Sequence, residues 1–145
     1  MEISFRPEKA RDKLPSRPAA TAPAAEGMRF SALLQQKLVV QQTLEEQLLA
    51  IDEQANRLAT LRTMEELVRY RERIRTFLQT VVNSALAVEP VRGTDRRRLR
   101  QLYLVEQVDE LLLKLADEVL NKEVPRLAIL ARLDEIRGLL INLST

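Results

Sequence analysis

The sequence predicts an all-α protein, an elongated up-down bundle of three to four long helices behind a disordered N-terminal tail. Three observations predict it. From Phe30 onward the apolar residues recur at steps of three and four, the period of a helix with one buried face. Past that point Gly and Pro nearly vanish, with only Gly93, Gly138, Pro90 and Pro125 remaining. Nowhere do β-branched and polar residues alternate, so no sheet is expected.

Residues 1–27 hold four of the six prolines, many alanines and mixed charges, and cannot bury enough apolar surface to offset the cost of ordering. They read as a flexible tail, with Ile3 and Phe5 as a short apolar tip, ahead of a helical domain over 28–145. Ser31 is a fitting start for the first helix, whose stripe is Leu44, Leu48, Ile51, Ala55 and Leu58. Thr63 followed by Glu66 forms a capping box for the second helix, with Leu67, Ile74, Leu78, Val81 and Ala85 inward. The segment Glu89–Asp95 breaks it, and Thr94 or Asp95 can cap a third helix lined by Leu104, Val108, Leu111, Leu115 and Val119. At 1.5 Å per residue the second and third helices run to about 36–40 Å. Pro125 either ends the third helix and opens a fourth or kinks one long helix. Leu127, Leu130, Leu133, Ile136 and Leu140 form the last stripe.

Composition narrows the chemistry. The chain has no Cys and no His, which removes disulfides, thiolate nucleophiles, zinc sites and the commonest general base. Trp is absent, and three Gly without a Gly-rich loop leave no phosphate cradle. The adjacent acids Asp109 and Glu110, Asp117 and Glu118, and Asp134 and Glu135 point to different parts of the helix circumference and form no constellation. The expectation is a non-enzyme without cofactor or metal. The longest apolar run is the five residues 127–131, so no membrane span is expected, and the expected address is the cytoplasm.

Two features remain to carry function. Arg92, Arg96, Arg97, Arg98 and Arg100 fall within nine residues, and residues 62–100 hold ten Arg against five acids. At the start of a helix such cations oppose the dipole, so helix stability does not explain them. They are the candidate contacts for phosphate or another anion, with Tyr70 and Tyr103 as the nearby rings for stacking. The second feature is the end of the chain. Leu139, Leu140, Ile141 and Leu143 cover the whole circumference of a helix, which must be buried in its own bundle or against a partner, and with Gly138 they are the candidate protein interface. Gly138 costs a helix about 1 kcal/mol, and close approach of another helix is the natural compensation. The third helix is basic in its first turns and acidic through Glu106, Asp109, Glu110, Asp117 and Glu118, an order that suits two antiparallel copies and hence a homodimer.

The pieces Tyr103-Leu104-Val105, Val108-Asp109, Asp117-Glu118-Val119-Leu120 and Gly138 to Thr145, behind the arginines at 96–100, resemble the YaaR family of small bacterial proteins, which carries a domain-of-unknown-function label. The resemblance covers about Met28 to Thr145, with Ser144 where the family carries Tyr. It implies an all-helical cytoplasmic protein and assigns no catalytic or cofactor residue. The reading is a protein-interaction module, self-associating or an adaptor through its apolar C-terminal helix. The alternatives are a nucleic-acid-binding protein using the arginines at 92–100 and, by analogy of shape, a helical chaperone.

Overall fold

The computed structural model describes the backbone of residues 21–88 and 94–145 and the side chains of residues 26–84 and 96–145. Regular structure among them is helical throughout: α1 (Thr21–Leu61), α2 (Met64–Val88), α3 (Thr94–Leu120) and α4 (Arg126–Ser144). Arg92, the apolar tip Ile3 and Phe5, and the side chains of Ala85, Thr94 and Asp95 lie outside the described residues. The first helix begins at Thr21, ten residues before the expected Ser31. Alanine is the best helix former, and Pro23 falls in the first turn, where a missing amide costs no hydrogen bond.

The chain divides into two compact units between Val39 and Val40. In the first, the described part is the leading stretch of α1, whose Met28, Phe30, Leu33, Leu34 and Leu38 are all exposed. The second unit gathers the rest of α1 with α2, α3 and α4 around one apolar core. Gln47 Nε2 donates to Thr80 Oγ1 at 3.1 Å and Gln54 Nε2 to Glu66 Oε1 at 2.6 Å, so α1 and α2 run antiparallel. Arg137 meets Asp52 at 3.0 Å and Arg62 meets the Val124 carbonyl at 2.8 Å, which sets α4 antiparallel to α1. The second unit is therefore an up-down bundle.

The apolar stripes of α1, α2 and α3 face the core at Leu44, Ile51, Leu58, Leu67, Ile74, Val81, Leu104, Val108, Leu115 and Val119. Leu127 does not: it is 77 % exposed, and Ile129 is buried instead. The buried face of α4 runs Ile129, Leu133, Ile136, Leu140, Leu143, and Leu127 lies about 200° out of phase with it. Tyr70 and Phe77 are fully buried beside Ile74 on α2 and fill more of the core than any aliphatic residue. Tyr70 is thereby withdrawn from any stacking role.

Two tight joints hold the helix ends. α1 closes with Arg62 at φ 52°, in the left-handed region, its amide bonded to the Leu58 carbonyl at 2.8 Å. This is the αL helix stop that glycine usually fills. The Arg62 guanidinium then crosses to the end of α3 and donates to the carbonyls of Glu118 (3.1 Å), Asn121 (2.8 Å) and Val124 (2.8 Å). The Glu118 carbonyl lies in the last turn of α3 and those of Asn121 and Val124 in the turn that follows, so one side chain closes the end of a helix more than fifty residues away. On its other side Thr63 caps α2, accepting the Glu66 amide at 3.2 Å. The capping box is only half formed. The Glu66 carboxylate turns inward to Gln54 and Arg57 in place of reaching back to Thr63.

At Pro125 the chain breaks rather than kinks. α3 ends at Leu120, Asn121 Oδ1 accepts the Glu123 amide at 3.0 Å, and the Val124 amide returns to the Asn121 carbonyl at 3.1 Å. Pro125 stands at the N-cap of α4 with ψ 157°, and its carbonyl accepts from Ala128 and Ile129. Arg132 on α4 then grips Glu118 on α3 through two hydrogen bonds of 3.1 and 2.9 Å.

Candidate interaction surface

Buried chemistry in this bundle is structural. Glu66 is only 4 % exposed, yet hydrogen bonds from Gln54 and Arg57, with the charges of Arg57 and Arg69, hold its carboxyl below the usual carboxylate range despite burial. That is the wrong direction for an acid or base working near neutrality. Burial, with the Asp52 charge adding to it, pushes the Tyr70 hydroxyl well above the usual phenol range, so it stays protonated. A shallow concavity between α1 and α2 is lined by Glu53, Gln54, Arg57, Arg69, Glu72 and Arg73. Three of its charges engage neighbours: Arg57–Glu66 at 3.4 Å, Arg69–Glu65 at 3.2 Å and Glu72–Arg75 at 3.6 Å. Among the described residues no three His, Cys, Asp or Glu side chains come close enough to hold a metal ion. No helix among them is long and apolar enough to cross a membrane.

The C-terminal residues are mostly inside. Leu140 is fully buried and Leu143 nearly so, both within the chain's own bundle, while Leu139 and Ile141 are half-buried. Of the two ways to bury that apolar end, the bundle takes Leu140 and Leu143 for its core. Gly138 is exposed, and a Cβ built on it meets nothing within 4 Å. Among the described residues no helix approaches Gly138 closely.

Exposed apolar residues occur on all four helices, and on α3 they fall into line. Residues on the side away from the core include Leu99, Leu102, Tyr103, Leu113 and Leu120, exposed at 53–67 %. Leu99, Leu102, Glu106, Asp109, Leu113, Ala116 and Leu120 step by three and four without interruption, the spacing of a coiled-coil seam. α3 thus carries two apolar faces, one spent on the core and one turned outward. The sign of the second face was available in the sequence: Leu111, Leu112 and Leu113 are consecutive and cannot share one stripe.

The arginine cluster borders this face. Arg96, Arg97, Arg98 and Arg100 are exposed in the first turns of α3, on both flanks of Leu99. Arg92 lies outside the described residues, so the cluster is seen as four residues, with Tyr103 the remaining exposed ring beside them. Farther along, Glu106, Asp109, Glu110 and Asp117 are exposed, whereas Glu118 is engaged by Arg132. The outward face is therefore basic at its start and acidic from its middle onward.

Fold and surface define a class first: an all-helical bundle with its charged interior groups locked in structural bonds and a second apolar seam on one helix. The comparison with known proteins gives the family. Residues 6–144 match the family model described as "Protein of unknown function (DUF327)", and the chain belongs to that family. It is 36 % identical over 90 residues to the uncharacterized protein YaaR of Bacillus subtilis (strain 168), covering 61 % of this chain and 62 % of YaaR. The chain thus matches a little under two thirds of that relative's length. Its fold is similar to the crystal structure of an uncharacterized Bacillus halodurans protein, with TM-score 0.71 and 33 % identity over 81 % of this chain and 97 % of that one. It is also similar to Moevan, a designed granulopoietic protein, with TM-score 0.69 and 37 % identity over 75 % of this chain and 94 % of that one.

Proposed function

We propose that this chain is a non-enzymatic protein-interaction module, acting in the cytoplasm, whose contact surface is the outward face of α3. The observation that carries the reading is the exposed seam at Leu99, Leu102, Leu113 and Leu120 on a helix whose other face already forms the core. Four large leucines on one line exceed what a solvated helix face needs, and such lines are how helices receive partner helices. The contact surface therefore moves from the C-terminal helix, where Leu140 and Leu143 serve the bundle, to α3. The test is a photo-crosslinking amino acid placed at Leu102 or Leu113 of the full chain in cells, with Gln79 on α2 as control. A discrete adduct from both α3 positions and none from the control is expected. No adduct, or the same ladder from all three, refutes the reading.

A second reading, nucleic-acid binding, has its own observation: Arg96, Arg98 and Arg100 stand exposed at the positive end of a helix dipole, where they oppose helix stability. Phosphate contacts give binding that falls steeply with salt. Fluorescence anisotropy of labelled RNA and duplex DNA at two salt concentrations, with an Arg96/Arg98/Arg100→Ala variant alongside, decides it. Binding at low salt that this variant loses supports the reading, and its absence at low salt removes it.

A further inference from the structure

Another α3 is a poor occupant for the outward face of α3. An antiparallel pair that sets Leu102 against Leu113 of a second copy also sets Glu106 against that copy's Asp109, twice over. Like charges so placed repel, so the occupant has to carry cations between its apolar residues. α2 is such a helix. Its Glu66 and Thr80 touch α1, and at about 100° per residue Met64, Arg71, Arg75 and Val82 stand on the opposite side of α2. All four are exposed, and Gln79 lies about 60° off their line, at its solvent edge. Two arginines between a methionine and a valine are the counterpart of two acids between leucines.

The bundle itself sets how such lines can meet. α2 packs beside α3. On α3, Glu118 touches α4, and Leu102, Asp109, Leu113 and Leu120 stand opposite it. The lines on α2 and α3 therefore both face away from α1 and α4, on one open side of the bundle. The bonds Gln47–Thr80 and Gln54–Glu66 tie α1 to α2, Asp52–Arg137 and Arg62–Val124 tie α1 to α4, and Glu118–Arg132 ties α3 to α4. Followed round the bundle, these contacts bring Met64 level with Lys122 of α3, Arg75 with Leu111 and Val82 with Leu104, each to within about two residues. All of these residues belong to the second compact unit.

We infer that this open side closes on a second copy of the chain in a two-fold dimer whose axis runs parallel to the helices. Rotation about such an axis leaves every residue at its own height. α2 of one copy then meets α3 of the other antiparallel, in the register that the bundle already holds. Met64 meets Leu120 of the second copy, Arg75 meets its Asp109, and Val82 meets its Leu102. Arg71 falls between its Glu110 and Asp117. Each contact occurs twice, its charges are opposite in sign, and no half of the surface is left open. The inference rests on the outward face of α3 being the contact surface, and it names what covers that face.

The chain has no cysteine, so single cysteines introduced into it report which positions meet. Val82→Cys and Leu102→Cys chains, mixed one to one and oxidised, are expected to form a mixed disulfide dimer, as are Met64→Cys and Leu120→Cys. Val82→Cys with Leu120→Cys is the mismatched mixture, since those positions lie about 27 Å apart along the helices. Sedimentation equilibrium of the full chain over a micromolar concentration series measures association, with helicity at 222 nm confirming that each variant folds. Arg75→Glu and Asp109→Arg should each weaken the dimer about tenfold or more. Their one-to-one mixture should restore it, because both pairs are again opposite in sign. A disulfide formed by Leu102→Cys alone as readily as by its matched mixture, or equal yields from matched and mismatched mixtures, overturns this pairing. So does a dimer indifferent to the charge exchanges, and so does a wild-type chain that stays monomeric throughout. Crosslinked adducts from Leu102 with another protein would then keep the α3 reading alone.

Discussion

Arg62 should be worth more to this fold than any other exposed or half-exposed side chain. Its guanidinium makes three hydrogen bonds of 2.8–3.1 Å to the Glu118, Asn121 and Val124 carbonyls, and a longer one of 3.5 Å to Val119. Charge-assisted hydrogen bonds contribute about 1.5–3 kcal/mol each when water cannot replace them. The Asn121 carbonyl faces solvent, so water restores most of that bond, leaving two part-buried ones. A cation at the negative end of α3 adds about 0.3–1 kcal/mol. Against this stands the left-handed backbone at Arg62, which costs a non-glycine residue about 1 kcal/mol. Arg62→Ala keeps the backbone strain; with each part-buried bond counted at about 1–1.5 kcal/mol because water replaces part of it, and the charge at the end of α3 added, it should destabilise the chain by about 2–4 kcal/mol. Arg62→Gly relieves the strain and should cost about 1 kcal/mol less than Ala. Arg62→Lys keeps a charge without the fork and should fall between Ala and wild type. Urea unfolding followed at 222 nm gives these differences, and hydrogen exchange at the Val124 amide shows whether the α3–α4 joint opens first. Equal stability of wild type and Arg62→Ala, within about 0.5 kcal/mol, would refute the capping argument.

Three further outcomes are expected. Gly138→Ala should stabilise the chain by up to about 1 kcal/mol, since a Cβ there meets nothing and Ala is the better helix former; a destabilised variant in thermal melts would reveal a contact at that position. The Glu66 carboxyl titrates below its unfolded value of about 4.3, so its contribution is full above that pH and is lost as pH falls through the folded value. Glu66→Gln should be less stable at neutral pH, and its urea midpoint should change less between neutral and acid pH than that of wild type. Arg132→Met should cost about 1–3 kcal/mol by leaving Glu118 unpaired at a part-buried site, whereas Arg132→Met with Glu118→Leu should recover much of it. A double-mutant cycle with no coupling would show that the pair is incidental.

The bundle was legible because helical burial is periodic and each residue reports its own share of it. Leu44, Ile51, Leu67, Ile74, Val108 and Leu115 could be placed on the core one by one. Thr63 was legible as a cap because its partner is three residues away. Glu66 was legible only as the distal half of that local motif, since its actual partner Gln54 lies on another helix. Arg62 had no local signature at all: an arginine in the left-handed region is stabilised by carbonyls from the other end of the sequence. The early start of α1 was hidden because alanine and proline occur both in flexible tails and in first turns of helices. On α3 the outward seam is written as plainly as the inner one, but a reading that gives each helix a single apolar face accounts for Leu104, Val108 and Leu115 and passes over Leu102 and Leu113.

Glu106 and Asp109 give that seam its selectivity. Its five apolar residues, at coiled-coil spacing, would by themselves accept almost any amphipathic helix, in either direction and in several registers. Two acids in the middle change the terms: a partner without a cation there must leave carboxylates desolvated and unpaired, which costs several kcal/mol. The charge contributes little attraction at an exposed edge, and its weight lies in excluding the alternatives. Leucines can then stand exposed on α3 while most encounters remain unproductive, because the penalty sits at the centre of the seam, where every long contact must cross it.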